Sequence, residues 1–211
     1  MIDAAGIVFV VDDDASVCRS LTRLVRAAGY RAESFESARA FLDGADLTSC
    51  PACLLLDLEL PDVSGLELQR ELNAMLPIVF VTGHGDIGTT VNAMKAGATD
   101  FLPKPVGEAV LLDAVARALE RSLQMVAYRT ELENIRTRVD RLTPREREVM
   151  ALVVSGRLNK QVAGDLGIAE KTIKIHRARV MEKMEAVSLA DLVRLADKAG
   201  VGATPNARTL R

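Results

Sequence analysis

Short apolar runs alternate with longer amphipathic stretches through the first 120 residues of the chain. The runs cover 7–11, 31–35, 53–57, 78–82 and 99–102, and the amphipathic stretches lie near 16–28, 37–43, 64–74, 87–96 and 107–121. Runs of β-branched and aliphatic residues, such as IVFVV and IVFVT, are typical of strands buried on both faces of a parallel sheet. Five strand–helix repeats predict an α/β domain with a doubly wound parallel sheet.

The pattern is helical in the rest of the chain. Residues 121–141 lack Gly and Pro, and apolar side chains recur at three-four-three spacing, namely Leu132, Ile135, Val139 and Leu142. This spacing predicts a helical connector. Its apolar side could form a coiled-coil interface between two copies or pack against the rest of its own chain, and the spacing does not decide between the two.

Four further helices are predicted after this connector, which indicates a small all-α domain. They cover about 143–156, 160–166 and 170–185, and a last helix starts at SLAD and ends before Gly200. The segment TPRE is typical of a capping box, in which Thr143 caps the helix and Glu146 reaches back, and SLAD suggests a second one. We expect residues 201–211 to form a disordered tail.

Composition and charge narrow the function classes. Hydrophobic residues make up 49% of the chain and aromatic residues only 3%, so the cores must be aliphatic. No apolar run approaches the about 20 residues of a membrane span, and no secretory signal precedes the first strand, so we expect a cytoplasmic protein without a membrane partner. Residues 1–120 carry 9 Lys and Arg against 18 Asp and Glu, whereas 141–185 carry 10 against 6. This split predicts a nucleic-acid contact at the basic end.

Cysteine and histidine give little support to a redox or zinc site. Cys50 and Cys53 form a Cys-x-x-Cys pair, but no nearby Cys or His pair supplies two more zinc ligands. Cys53 opens a predicted strand, whereas a reactive thiolate is usually stabilised at a helix N-terminus. We therefore interpret the pair as structural, His176 as a packing residue and His84 as a loop residue.

Polar residues stand at the carboxyl ends of four predicted strands. Asp12, Asp13 and Asp14 follow the first strand, Asp57 ends the third, Thr82 ends the fourth and Lys104 follows the fifth. Because these ends share one edge of a parallel sheet, the groups should converge, although Asp14 would also suit the cap of the first helix. Clustered carboxylates are tolerated when a hard cation such as Mg²⁺ joins them, and Lys and Thr can hold phosphoryl oxygens. The pattern predicts phosphoryl transfer with Asp57 as the nucleophile.

The segments VFVVDDD, LLLDLELPDVSG, VTGHGD and AMKAGATDFLPKP resemble a response-regulator receiver domain, and TGHGD and MKAGA are similar to the FixJ subgroup. The resemblance implies a flavodoxin-like fold with Asp57 as phosphoacceptor. It implies that Mg²⁺ is bound by Asp12, Asp13, Asp57 and the Glu59 carbonyl. It also implies that Thr82 and Lys104 contact the phosphoryl group, and that the aromatic ring of Phe101 rotates as a switch. One departure is LNAM before LPIVF, which makes the connection shorter than the resemblance implies.

Residues 170–185 place basic and small side chains on one helical side, opposite Ile173, Val180 and Met184. Such a surface suits a DNA major groove, where Lys and Arg meet phosphates and base edges. The same spacing also fits a solvated basic face, so the pattern alone leaves both interpretations open.

The segment from LTPREREV to EKM resembles a LuxR/NarL-type four-helix DNA-binding domain with a helix-turn-helix. The resemblance implies DNA contacts on the recognition and scaffold helices, at Asn159, Lys160, Lys171, Thr172, Lys174, Ile175, Arg177, Ala178 and Arg179. Ala169 stands where this family often has a capping Ser. The predicted organisation is a receiver at 1–121, a helical linker at 122–141 and a DNA-binding domain at 142–200.

The resemblances imply a two-component response regulator that a sensor histidine kinase phosphorylates at Asp57. The implied partners are the kinase, double-stranded promoter DNA and a second copy on phosphorylation, with RNA polymerase as a further candidate. Two alternatives are a magnesium-dependent phosphatase or phosphotransferase, and a scaffold with an inert receiver. The absence of an inserted cap for substrate argues against an enzyme, and the complete set of pocket residues argues against the scaffold.

Overall fold

The computed structural model describes residues 6–47, 50–83 and 85–201. The chain divides into two compact units, Met1–Val126 and Ala127–Arg211, which are described separately. His84 and, apart from Val201, the tail predicted over 201–211 lie outside the described residues.

The first unit alternates strands with helices as the hydrophobic pattern predicts. Its elements are β1 (Ile7–Val11), α1 (Ala15–Ala27), β2 (Arg31–Phe35), α2 (Ala38–Gly44), β3 (Ala52–Leu56), α3 (Gly65–Leu72), β4 (Ile78–Thr82), α4 (Ile87–Lys95), β5 (Asp100–Pro103) and the first part of α5 (Glu108–Asp140), whose remaining residues belong to the second unit. The strands pair in parallel in the order β2-β1-β3-β4-β5, which is the flavodoxin-like order. The fold prediction is confirmed, although β3 and β5 are each displaced by one residue from the predicted bounds.

Alternate residues of each strand point to opposite faces of the sheet, and each face has its own core. One core joins Phe9, Leu54 and Phe80 to α2 and α3, and the other joins Val10, Leu55 and Val81 to α1 and α5. Such double coverage explains why the three central strands, β1, β3 and β4, are buried and almost entirely apolar, whereas the edge strand β2 carries exposed polar residues.

The two cysteines of the Cys-x-x-Cys pair belong to these different cores. Cys50 packs against the first core and Cys53 lies in the second, and neither is part of a disulfide. Burial raises the pKa of the Cys53 thiol to about 12, so it remains protonated and unreactive near neutral pH. This placement supports the structural interpretation.

The short connection after α3 is made by two residues with left-handed backbone. Asn73 has φ 43° and the next residue, Ala74, has φ 58°. Left-handed backbone turns the chain within two residues, at an energetic cost for Ala because of its Cβ. The chain thereby reaches β4 without the longer loop that the resemblance implied.

The second unit contains α6 (Pro144–Val154), α7 (Asn159–Leu166), α8 (Glu170–Lys183) and α9 (Leu189–Lys198). The capping box at α6 is confirmed, because Thr143 Oγ1 accepts from Glu146 N–H and Glu146 Oε2 accepts from Thr143 N–H. The second box is wrong in one half. Ser188 caps α9, but Asp191 accepts from Val187 N–H rather than from Ser188 N–H.

The predicted connector and the last helix of the first unit are one continuous helix, α5. In the second unit, Ile135 and Val139 of α5 are buried together with Leu142 in a core shared with α6, α8 and α9. The apolar side of the connector is therefore a packing face within the chain. Among the described residues, no helix is long and apolar enough to cross a membrane.

Candidate phosphoryl-transfer pocket and nucleic-acid interface

Three carboxylates meet at the carboxyl edge of the sheet. β1 and β3 are neighbours, so Asp12 and Asp13 after β1 lie beside Asp57 after β3. One carboxylate oxygen of each of the three lies within 4.8 Å of the others. Asp12 and Asp57 are buried, whereas Asp13 is exposed to solvent. Oxygen-only ligands with one side open to solvent fit a Mg²⁺ ion that retains water molecules.

Lys104 places a cation between two of these acids. Its Nζ lies 2.5 Å from Asp12 Oδ2 and 3.2 Å from Asp57 Oδ2. Burial raises the pKa of the Asp12 carboxyl, although the hydrogen bond from Lys104 acts against this rise. Burial alone would lower the pKa of Lys104, but its hydrogen bond to Asp12 and the attraction of Asp57 hold it above its ordinary value. The ammonium group therefore stays charged and offsets part of the acidic repulsion.

Thr82 and Phe101 lie on the neighbouring strands β4 and β5. Thr82 is buried at the end of β4, and its carbonyl oxygen accepts from Lys104 N–H at 2.8 Å. The ring of Phe101 lies 5.9 Å from that of Phe80, between centroids. A Cβ at Gly85 would lie only 2.7 Å from Phe101 Cζ, so the observed position of the ring requires glycine there. Sequence reasoning missed this contact.

The loop after Asp57 is held by the carboxylate of Asp62, which sequence reasoning also missed. Asp62 Oδ2 accepts from Arg39 N–H at 2.8 Å, and its Oδ1 accepts from Val63 N–H at 3.1 Å. These bonds link the loop that carries Glu59 to the start of α2. The Glu59 side chain is exposed. Asp14 caps α1 through Ser16 N–H, as its alternative interpretation predicted.

In the second unit, α8 presents an exposed basic side. The predicted contact residues Lys171, Lys174, Ile175, Ala178 and Arg179 are exposed, and so are the acidic Glu170 and Glu182 of the same helix. Ile173 and Val180 are buried on the other side, as the spacing predicted. Lys174 Nζ lies 3.4 Å from Glu170 Oε1, an exposed pair whose Lys can still turn toward an anion.

α7 begins beside α8, and one hydrogen bond joins the two helices. Arg177 Nη1 donates to Asn159 Oδ1 at 3.1 Å, and both residues are half-buried. Thr172 is half-buried near the start of α8 and Lys160 is exposed on α7. Ala169 precedes α8 without a side-chain capping bond, as predicted.

Comparison with known proteins assigns a family to each half of the chain. Residues 8–116 match the response regulator receiver domain, and residues 140–196 match the luxR family of bacterial regulatory proteins. The chain belongs to the response regulators. This response regulator is 49% identical over 209 residues to Nodulation protein W of Bradyrhizobium diazoefficiens, covering 97% of this chain and 91% of that protein. It is 42% identical to the transcriptional regulatory protein FixJ of Rhizobium meliloti, over 92% and 97% of the two chains.

Solved structures agree with this assignment. The response regulator StyR matches with a TM-score of 0.78 and 46% identity, over 92% of this chain and all of that one. Full-length FixJ from B. japonicum matches with a TM-score of 0.53 and 38% identity, over 93% and 98% of the two chains. Its relative FixJ is named a transcriptional regulatory protein. This response regulator joins a receiver domain to a LuxR-type DNA-binding domain.

Proposed function

We propose that phosphoryl transfer from a sensor histidine kinase to Asp57 controls dimerisation of this response regulator and its binding to promoter DNA in the cytoplasm. The observation that carries the proposal is the convergence of three carboxylates, within 4.8 Å, with the Lys104 ammonium at the edge of the sheet. This set can accept a phosphoryl group and neutralise its charge.

Asp57 acts as the nucleophile. A carboxylate oxygen of Asp57 attacks the phosphorus of the kinase phosphohistidine, the P–N bond breaks and an acyl phosphate forms, while the histidine nitrogen keeps the electron pair. Asp12, Asp13, Asp57 and the Glu59 carbonyl would hold Mg²⁺, which supplies positive charge opposite the transferred group. Lys104 binds a phosphoryl oxygen in place of Asp57, and the Thr82 hydroxyl donates to another.

The new group carries about −2 charge at pH 7. Thr82 moves toward it, and Phe101 turns into the space that Thr82 leaves. This rearrangement changes the face formed by α4 and β5, where Val91 and Met94 are exposed apolar side chains beside Lys95. A packing change with two discrete states can expose or complete a dimer interface. The phosphoryl group favours the active state through its stronger contacts there.

Two receivers that dimerise bring two basic helices to one duplex. The exposed residues of α8 would enter the major groove, while Asn159 and Lys160 contact the backbone and the Arg177–Asn159 bond joins the two helices. A dimer that binds two half-sites gains effective concentration without a new base contact. RNA polymerase is a further proposed partner at the promoter.

The test replaces Asp57 by Asn in the full chain, with the exposed Asp43→Asn as the matched control. We expect D57N to accept no phosphoryl group from acetyl phosphate in Mg²⁺, because an amide cannot form an acyl phosphate. With beryllofluoride and Mg²⁺, wild type and D43N should sediment as dimers and bind promoter DNA more tightly, and D57N should do neither. Stoichiometric, base-labile labelling of D57N would contradict the assignment.

A further inference from the structure

The two ends of α8 are held in different ways. At its N-terminus, Ala169 offers no side-chain cap. At its C-terminus, Met184 is the capping residue, and its carbonyl oxygen accepts from Arg138 Nη1 at 3.3 Å. The last carbonyls of a helix lack partners within the helix and carry partial negative charge, so a guanidinium group there supplies both a donor and a favourable charge.

Arg138 makes a second contact at the same place. Its Nη2 lies 2.9 Å from Glu185 Oε2, and Glu185 has φ 54°, the left-handed backbone with which the chain leaves α8. Arg138 therefore binds both the last carbonyl of α8 and the residue that turns the chain away from it. The Arg138 side chain is 28% exposed, so water screens these contacts only in part.

The helix that carries Arg138 is itself anchored in the second unit. Ile135 is 1% exposed and Val139 is 8% exposed in the shared core. Lys198 Nζ of α9 lies 2.6 Å from Glu131 Oε1, and Glu131 lies about two turns before Arg138 on α5. Apolar burial and an ion pair thus anchor the last turns of α5 in the second unit (hereafter the output unit), and they hold the part of the helix that carries Arg138.

We propose that Arg138 is a positioning residue that sets the recognition helix α8, so that the last turns of α5 are a working part of the DNA-binding element. Base contacts depend on side chains held within about half an ångström of the right geometry, whereas phosphate attraction tolerates displacement. Loss of Arg138 should therefore weaken discrimination between DNA sequences more than it weakens general DNA binding. This inference rests on the proposed role of α8 in DNA reading.

The experiment uses full-length Arg138→Gln, with Arg136→Gln as the control that removes the same charge from an exposed position of the same helix. The probes are a duplex selected from a random pool by the wild-type protein and an unrelated duplex of equal length, titrated at one salt concentration. R138Q should lose roughly fivefold in affinity for the selected duplex, the size of one net hydrogen bond, and should match R136Q on the unrelated duplex. Arg138→Lys should recover part of the loss, since Lys can still donate to Met184.

The proposal would be overturned if R138Q and R136Q lost the same affinity for each duplex. It would also be overturned if only R138Q lost affinity but lost it equally for the selected and the unrelated duplex. A second measurement does not depend on DNA. Amide hydrogen exchange in the last turn of α8, from Val180 to Met184, should be faster in R138Q than in wild type and R136Q. Unchanged protection there would overturn the positioning role. If the wild type itself selects no duplex, the proposed function fails, while the exchange measurement still decides whether Arg138 holds α8.

Discussion

The acidic pocket of the receiver unit and the basic face of α8 both use charge, but they are built in opposite ways. The pocket collects Asp12, Asp57 and Lys104 from three strand ends far apart in sequence, and it buries both carboxylates. The α8 face takes its charges from one helical segment and leaves Lys171 and Lys174 exposed. The order of the parallel strands brings the pocket residues together, whereas the repeat of a single helix places the charges of the second site on one side.

This difference determines how each site should respond to substitution. Buried charges in contact depend on one another, so removal of one leaves the others uncompensated and the effects do not add. Exposed charges on a helix interact weakly with their neighbours and act on a ligand almost independently. The pocket should therefore fail as a unit, whereas the face should lose affinity in steps.

Lys104→Met is the sharpest test of the pocket's mutual dependence. Without the ammonium group, Asp12 and Asp57 repel each other in a buried site, and we expect a loss of about 2 kcal/mol in the free energy of unfolding of the receiver unit. Because the pKa of Lys104 is raised, its stabilising effect is complete below the ordinary Lys value of 10.5 and is lost as pH rises through the folded value. The deficit should therefore persist throughout neutral pH.

Calorimetry of the full chain measures this loss, with the exposed Arg23→Gln as the charge-matched control. Mg²⁺ should raise the melting temperature of Lys104→Met more than that of wild type, because a ligand that binds only the folded state stabilises it and here also replaces the missing charge. An equal Mg²⁺ effect on both proteins would argue against shared charge compensation in the pocket.

The sequence predicts the pocket better than its surroundings, for a physical reason. Asp57 and Thr82 are placed by parallel strands, whose carboxyl ends always share an edge, so a correct strand pattern is enough. The contacts of Gly85 with Phe101 and of Asp62 with α2 depend on loop paths, which no periodicity encodes. These contacts became visible only in the structure.

The helical half shows the same limit. Burial of Ile173 and Val180 and the cap at Thr143 follow from spacing and local chemistry, and both are confirmed. The backbone N–H group that Asp191 accepts from does not follow from the spacing, and the predicted box was wrong in that half. The choice between a seam and a packing face for Ile135 required knowledge of what lies opposite, which spacing alone does not contain.

In the described part of the second unit, the buried Glu146 carboxylate pairs with the half-buried Lys183, and this pair tests whether burial rather than function makes charged groups depend on each other. Glu146 is 2% exposed and lies 2.7 Å from Lys183 Nζ. The Lys183 hydrogen bond, with the capping bonds at Thr143, lowers the pKa of Glu146 to about 2. The stabilising effect of Glu146 is therefore complete above its ordinary pKa of 4.5 and is lost as pH falls from there toward about 2.

Glu146→Gln should lower the free energy of unfolding of the output unit at pH 7 by about 1–3 kcal/mol, since a buried charged hydrogen bond is lost. The deficit should shrink between pH 4.5 and 2, as the wild type loses the same interaction. Glu148→Gln, in an exposed pair with Arg145, is the control and should change stability by less than about 0.5 kcal/mol. A deficit that is constant down to pH 2 would refute the assigned titration.

Lys174→Ala tests the expectation that the basic face loses affinity in steps. We expect a loss of about 1–2 kcal/mol for the selected duplex and a salt dependence that falls by about one ion. The double variant Lys171→Ala/Lys174→Ala should lose nearly the sum of the affinities that the two single variants lose, because neither lysine contacts the group that the other one binds. Titrations at several salt concentrations measure both quantities. A double variant that loses far more than the sum would show that the face is coupled like the pocket.

Ala169→Ser changes the uncapped start of α8 and should have the smallest effect of these substitutions. The Ala169 carbonyl already accepts from Thr172 N–H at 2.9 Å, so the backbone has the geometry of a helix start, and a Ser hydroxyl would add the missing acceptor. We expect a gain of about 0.5–1 kcal/mol in the free energy of unfolding. Ala190→Ser, exposed in the first turn of α9, is the control and should lose a few tenths of a kcal/mol, since Ser is a poorer helix former than Ala.

Because α8 is anchored at its other end by Arg138, the added cap should stabilise the helix without changing the ratio of affinities for selected and unrelated duplexes. A gain in that ratio would show that the N-terminus of α8, rather than its C-terminus, limits how accurately the helix is held on DNA.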